Sequence, residues 1–544
     1  MKQPASGRNV DRSHDLETRY EQGGGGGKSA YRPSLLDEVL SRQAESVDRE
    51  QPAAGDAIER FMECRSEPEA ARMWLGEARY RRTTGRDWIH ILSRDISRIE
   101  ALLEEQVNVI LHHPEFQKLE AAWRSLEYLL NTTSDCLHKH RDAVTRDRVE
   151  IKLLNVTKRE LLKSFNRHSE IDGSEIFKRV YEEGFGTAGA SPFGLLVGDY
   201  QFTEDHEDIT VLSGMAGVAA TSFAPFIAAA DPSLLGQESF SSLDRARSLD
   251  GVYAHPRFLK WNALRKNPDS RFLGLTLPNV LMRAPYNDDG SRPQGFRFQE
   301  EVHGELDEMG AASDQSRYLW GNAAFPLAAV VIRSFIRTGW FADIRGSRHG
   351  SDSGGIVNTL PSLSFDTEST GCSFRPSTNM ILSDYWEVES SRRGFIPLVD
   401  CHDSPFAVFR ANGSVFEPPF TKHQSGSDQE NERLSGMLQY ILCASRFAHH
   451  LKAITQTKIG TMASIKDLQN ELNGKWLQKY VSATDISDPH KSAQYPLRSA
   501  RLEISQVEGQ SGRYHVNMEL QPHYQLDNVD ISIKMDSVLD TRSA

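Results

Sequence analysis

The sequence is short of the features that would mark a familiar chemistry. Its five cysteines (Cys64, Cys136, Cys372, Cys401, Cys443) are scattered among 544 residues, odd in number and never spaced C-x-x-C. That excludes a disulfide framework or a cysteine-rich zinc site and fits a reducing, intracellular compartment. Positive charge is not in excess: 63 Lys plus Arg face 75 Asp plus Glu, a net charge of -12. Broad binding to nucleic acid or to an anionic membrane surface, which needs a basic face, is therefore not expected. No G-x-S-x-G elbow and no H-E-x-x-H helix occurs, and no basic-then-apolar leader opens the chain, so no cleaved signal peptide is expected.

Long apolar runs are also scarce. The longest uncharged one, residues 209–230, is rich in Ala, Gly, Ser and Thr, contains Pro225 and follows the acidic "EDHED". It lacks both the Leu/Ile/Phe density and the cationic flank of a membrane span. The reading is a helix buried on all sides of a large soluble core.

What remains of catalytic or nucleotide-binding pattern dissolves on inspection. "GGGGGKS" imitates a phosphate-binding loop, but the first glycine position holds Gln22 and no strand precedes it. "GFGTAG", 184–189, lies before the apolar run "FGLLVGDY" instead of after a strand, the reverse of the dinucleotide order. "CHD", 401–403, sets a thiol, an imidazole and a carboxylate side by side, yet neighbours along a strand face opposite ways. The paired histidines 112–113 and 449–450 diverge similarly. No cofactor or metal is expected; an enzyme built on Cys401 and His402 stands as the competing class.

What is present is organised. Residues 1–30 read as a Gly-rich tether. In 31–43, Ser34 with Asp37 three residues on makes an N-cap for a short helix carrying Leu35, Leu36, Val39 and Leu40 on one side. That helix either folds back on its own domain or is displayed to a partner's groove. Residues 44–87 read as linker. From 88 to 111 a helix places Leu92, Ile96, Ile99, Leu103, Val107 and Ile110 on one stripe; from Pro114 a second places Phe116, Leu119, Trp123, Leu126 and Leu130 at spacings of three and four. Such stripes need a cover, from each other or from another chain.

The region 88–480 then mixes buried strands ("IKLLNV", "FGLLVGDY", "RFLGLTL", "GFIPLV", "FAVFRA") with helices over 322–336 and 433–460. In 490–544 alternation takes over. Tyr514, Val516, Met518 and Leu520 share one face; Val529, Ile531, Ile533 and Met535 repeat the pattern. A three-strand meander at a chain end leaves edges that invite a further strand. The fold class is α+β, with mixed sheets flanked by helices and more than one domain.

Six blocks carry a resemblance: "HHPEFQKLEAAWRSLEYLL", "FGLLVGDYQF", "DITVLSGMAGVAATSFAPFIAAADPSLLG", "RFLGLTLPNVLMRAPY", "GNAAFPLAAVVIRSFIRTGWFADIRG" and "LQPHYQLDNVDISIKM". In this order, over about residues 31 to 538, they resemble the large subunit of the type VI secretion contractile sheath, the TssC/VipB family. The resemblance implies a non-enzymatic protein of the bacterial cytoplasm with a contractile-sheath fold. The implied partners are the small sheath subunit (TssB/VipA family), further copies of the chain in a helical polymer, the Hcp tube and the baseplate. A ClpV-type AAA+ unfoldase is implied to recycle the contracted sheath by gripping an N-terminal helix, where Leu35, Leu36, Val39 and Leu40 stand. Phe116, Leu119, Trp123, Val529, Ile531 and Ile533 are the expected assembly residues, with strands exchanged between subunits. A phage-like tail sheath is the alternative within the same architecture.

Overall fold

The computed structural model describes residues 60–83, 85–140, 149–168, 170–186, 191–245, 249–287, 296–302, 315–341, 343–346, 354–368, 371–402, 404–418, 436–458, 469–482, 495–506, 513–522 and 533–540. The tether, Leu35, Leu36, Val39, Leu40, Val529 and Ile531 lie outside them. Two compact units divide at Leu103/Glu104, within the helix Gly85–Leu111.

In the first unit, part of the stretch expected to be linker is helical, Glu67–Leu75 followed by Glu77–Tyr80. The cause is a local aromatic cluster that the hydrophobic pattern alone does not reveal. Trp74 lies 5.5 Å from Phe61 and Tyr80 lies 5.9 Å from Trp88, ring centre to ring centre. The Trp74 indole N–H donates to the buried Asp95 carboxylate at 3.1 Å, giving that buried charge a partner. On the Gly85–Leu111 helix, Leu92, Ile96 and Leu103 of the expected stripe are exposed.

The second unit is built on a six-stranded sheet. In chain order its strands are β1 (Leu196–Phe202), β2 (Phe226–Ala230), β3 (Leu273–Leu277), β6 (Ile356–Val357), β9 (Phe395–Asp400) and β10 (Ala407–Phe409), arranged β1-β2-β3-β9-β10-β6. The first four in that arrangement pair in parallel, whereas β9–β10 and β10–β6 pair antiparallel. Two-stranded pairs form from β4 (Val280–Leu281) with β5 (Trp320–Gly321) and from β7 (Leu363–Glu368) with β8 (Gly371–Arg375).

Parallel strands must be covered on both faces, and the sequences of β2 ("FIAAA") and β3 ("LGLTL") are apolar throughout and fully buried. Side chains alternate between two cores. Phe226, Ala228, Phe395 and Val399 join the helix His206–Ser222 on one face, while Ile227, Ile396 and Leu398 join the helix Ala324–Thr338 on the other. The parallel β1–β2 register is irregular between Val197 and Gln201, where the buried Asn322 amide donates to Gly198 O at 3.0 Å.

Two expectations fail here. Residues 209–230, read as one buried helix, divide into a helix ending at Ser222 and strand β2. Phe223 adopts a left-handed conformation (φ 51°) and Pro225 follows, so the helix cannot continue. "IKLLNV", read as a buried strand, belongs to no sheet among the described residues, and Leu153 is 71% exposed. The expected strands at 193–200, 271–277, 394–399 and 406–411 are present as β1, β3, β9 and β10.

The C-terminal strands β11 (Leu497–Gln506), β12 (Arg513–Pro522) and β13 (Ile533–Asp540) form the antiparallel meander that the alternation predicts. Val516, Met518 and Leu520 are buried together, and Ile533 stands opposite Leu520 in register. Among the described residues, the outer edge of β13 has no strand beside it. The helix Leu438–Lys458 serves two cores. Leu438 and Leu442 enter that of the helix Ala324–Thr338, whereas Tyr440, Phe447 and Leu451 enter that of β11 and β12. Trp340 stacks on Phe447 at 4.5 Å and meets Tyr480 at 5.2 Å, closing the joint.

Gly394 precedes β9 with φ 88°, and a Cβ there would lie 2.9 Å from Val415 Cα and 3.0 Å from Val415 O. Both the positive φ and the neighbouring backbone oppose a side chain. Gly394→Ala is expected to destabilise the second unit by about 2 kcal/mol or more, read from urea unfolding. An unchanged midpoint would contradict the packing described for β9.

Candidate assembly surface

Pro114 starts the helix Pro114–Lys139 in the first turn, and His113 Nδ1 accepts from Glu115 N at 3.3 Å as the cap. The side that packs inward is not the apolar stripe but the small-residue side. Ser125, Leu129, Thr133 and Cys136 are buried, with Ala121 and Tyr128 packed against the same core as the helix Ala324–Thr338. Polar contacts pin it further: Tyr128 and Thr359 share a hydroxyl–hydroxyl bond of 2.8 Å, and Gln117 Nε2 donates to Ser316 O at 2.9 Å.

An ionic junction sets the rotation of this helix. Buried Arg283 donates from Nε to Glu120 Oε1 at 2.7 Å, and from its terminal nitrogens to both oxygens of buried Glu300 at 2.5 and 3.1 Å. Tyr286 N donates to Glu300 Oε2 at 3.0 Å, and His112 Nε2 stands 3.3 Å from Glu300 Oε1. Arg124 lies 3.5 Å from Glu120 and donates to Tyr286 Oη at 3.2 Å. Burial opposes the Arg283 charge, but the hydrogen bonds to Glu300 and Glu120 outweigh it and hold its pKa above the ordinary value. A buried pair this well satisfied fixes geometry more than it adds stability.

The consequence is an outward apolar face. Phe116 is 37%, Leu119 57%, Trp123 65% and Leu130 47% exposed, while Leu126 is half-buried. Phe116, Leu119 and Trp123, the expected assembly residues of this helix, therefore share one solvent-facing side. Ile533 lies on β13, a separate element. Sequence reasoning missed Glu120, Arg283 and Glu300. Arg283 and Glu120 are 163 residues apart, and no local pattern links them.

The competing site at Cys401 and His402 lies in the turn after β9, with Asp403 outside the described residues. Cys401 N donates to Phe406 O at 2.9 Å across the β9–β10 hairpin. Burial pushes the Cys401 thiol up, away from the thiolate that nucleophilic catalysis needs. Among the described residues no group of three His, Cys, Asp or Glu side chains is placed to hold a metal, and no described helix is long and apolar enough to cross a membrane.

Residues 93–416 match the VipB model, described as a tail sheath N-terminal domain, and residues 427–539 match its companion, a tail sheath gpW/gp25-like domain. The chain is 36% identical over 460 residues, 83% of its own length and 86% of the relative's, to the type VI secretion system sheath protein TssC1 of Pseudomonas aeruginosa. The first match ends near the close of the six-stranded sheet, and the second spans the whole Leu438–Lys458 helix and the meander up to Leu539.

The strongest titration effect near Cys401 belongs to its neighbour Asp400, pushed up to about 6 by burial despite accepting bonds from Thr378 Oγ1 and backbone N–H groups. The folded state thus binds this proton more tightly than the unfolded chain. Its stabilising contribution is present at low pH and is lost as pH rises from the unfolded carboxylate range, about 4, to about 6. Asp400→Asn should remove that slope and stabilise the protein by roughly 1–3 kcal/mol above pH 6. Urea unfolding between pH 4 and 8 measures it; parallel profiles for the two proteins would refute the assignment.

Proposed function

Since the chain belongs to the VipB tail-sheath family, as a structural subunit of the type VI secretion sheath, we propose that it is the large subunit and that its exposed helix face is where assembly begins. The observation that carries this reading is the rigidly held face of Phe116, Leu119, Trp123 and Leu130. Large apolar side chains held outward by a buried ionic junction stand where a partner can cover them. In this reading the small sheath subunit covers that face, and the heterodimers polymerise around the Hcp tube from the baseplate in the bacterial cytoplasm. The outer edge of β13, which begins at Ile533 with Val529 and Ile531 just before it in sequence, receives a strand from a neighbouring subunit. Contraction drives the tube outward. The role is mechanical and involves no catalytic step.

Burying each of Leu119 and Trp123 contributes roughly 1.5–3 kcal/mol to such an interface. Leu119→Asp with Trp123→Asp should leave folding intact, because both side chains are exposed in the unassembled chain. Coexpressed with the small subunit, the double variant should yield no sheath tubes by electron microscopy where the parent chain does. Normal tubes from the variant would move the interface elsewhere.

The N-terminal segment has a separate role in this proposal. Residues 1–30 are the leash and 31–43 the helix, with Leu35, Leu36, Val39 and Leu40 entering a groove of the ClpV-type unfoldase. Two aspartates at positions 35 and 36 must be desolvated there without partners, costing several kcal/mol. The peptide 28–46 carrying Leu35→Asp and Leu36→Asp should bind the unfoldase N-terminal domain at least about a hundredfold more weakly than the parent peptide. Equal affinities by calorimetry would return this helix to its own domain.

A further inference from the structure

The helix Leu438–Lys458 meets the end of the helix His206–Ser222 at an imidazole. His449 is buried, and its Nε2 donates to Ser222 O at 2.9 Å. Ser222 is the last residue of its helix, so its carbonyl has no donor from within that helix. The His449 ring also meets Phe223, the left-handed residue that stops the helix, edge to face at 6.4 Å. A carbonyl only accepts, so Nε2 carries the hydrogen and a further proton must go to Nδ1. To either side of His449 along the chain, Phe447 and Leu451 enter the core of β11 and β12. The imidazole therefore sits where the cover of the sheet touches the wall of the meander.

Its surroundings oppose a further proton. Lys452 Nζ donates to Tyr181 Oη at 2.5 Å and lies 4.1 Å from that ring centre. Arg446 lies 4.7 Å from the Phe335 ring centre and 5.5 Å from that of Trp340. Aromatic faces thus anchor both cations close to the imidazole, and His450 is its neighbour in the chain. The last turn of His206–Ser222 carries no charge, and the segment Pro268–Phe272, packed against both helices, brings Asp269 and Arg271, one of each sign. A helix C-terminus attracts a cation, and the bond to Ser222 O by itself favours the imidazolium. Burial outweighs that, with His450, Arg446 and Lys452 adding to it, and the His449 pKa is pushed down to about 4.

We infer that His449 is an acid-sensitive latch, whose protonation parts the Leu438–Lys458 helix from the end of His206–Ser222 and loosens the meander ahead of the six-stranded sheet. The folded state binds this proton less readily than the opened chain does. The stabilising contribution is complete above the ordinary imidazole value, about 6.5, and is lost as pH falls towards about 4. Asp400 has the opposite sign, so the same fall in pH adds to the stability of β9 and of the sheet around it. Acid weakens the joint while it steadies the sheet. The latch is a property of the chain itself and does not depend on the sheath reading.

The test is amide exchange of the full chain at pH 7 and pH 4.5, corrected for the intrinsic rate at each pH. Complete loss of the contribution raises the opening equilibrium about 300-fold, the ratio set by 6.5 against about 4. At pH 4.5, residues 443–454 and 514–520 should open at least about thirtyfold more often than at pH 7, with β2 and β3 changed far less. His449→Gln keeps a donor for Ser222 O and takes up no proton in this range. Its protection at pH 7 should stay near the parent's, and the acid opening should disappear; His450→Gln should retain it. Unchanged protection of 443–454 in the parent chain overturns the inference, whatever the variants do. Acid opening that persists in His449→Gln, or that strikes β2 and β3 equally, overturns it too.

Discussion

Three adjacent strands with no wet face govern this molecule. β2, β3 and most of β9 are buried on both sides, so every backbone group in them must be paired and every side chain must meet a helix. The two covering helices, His206–Ser222 and Ala324–Thr338, are accordingly apolar over most of their surface, and the first is rich in Ala and Gly for close approach. Everything else is arranged around that sandwich. The Pro114–Lys139 helix packs as an outer layer through small residues, which frees its large ones to face solvent. That inversion separates a helix that completes a core from one that presents a surface.

The junction at Arg283 keeps the presentation rigid. A helix held by Leu129 beside small residues such as Ser125 and Thr133 can roll, because small side chains offer few steric stops. Glu120 on the helix and Glu300 on a loop after β4 grip one guanidinium from two sides, and a roll would strand a buried charge. The outward apolar face and the inward ion network are thus parts of a single device. Under the proposed function that device has a purpose: an outer helix must present the same face in every subunit of a regular polymer.

Much of this was legible in the sequence, and the failures have physical causes. Strands β1, β3, β9 and β10, the helix beginning at Pro114 and the meander follow from apolar runs, a proline start and strict alternation. The 209–230 run misled because a buried helix and a buried strand are both apolar, and only Phe223 and Pro225 mark the break between them. "IKLLNV" misled in the other direction. It has strand composition, but it pairs with no strand among the described residues. The helix at 67–75 went unread because Trp74 finds Asp95, a tertiary partner that no local period encodes. The stripe of Phe116, Leu119 and Trp123 was correctly located on a helix, and the structure adds that it points away from the core. Arg283 with its two carboxylates left no trace in the pattern at all.

The helix Leu438–Lys458 is a wall common to two cores, and that has a mechanical meaning. A load applied to the meander enters the chain through Val516, Met518 and Leu520, passes to Phe447 and its Trp340 stack, and reaches the six-stranded sheet through Leu438 and Leu442. Along this path each step is a buried side chain packed among its neighbours. Twisting the meander against the sheet would shear both cores together. In the proposed sheath role, a load on the meander would therefore have to deform two cores at once before it could bend the subunit at this wall.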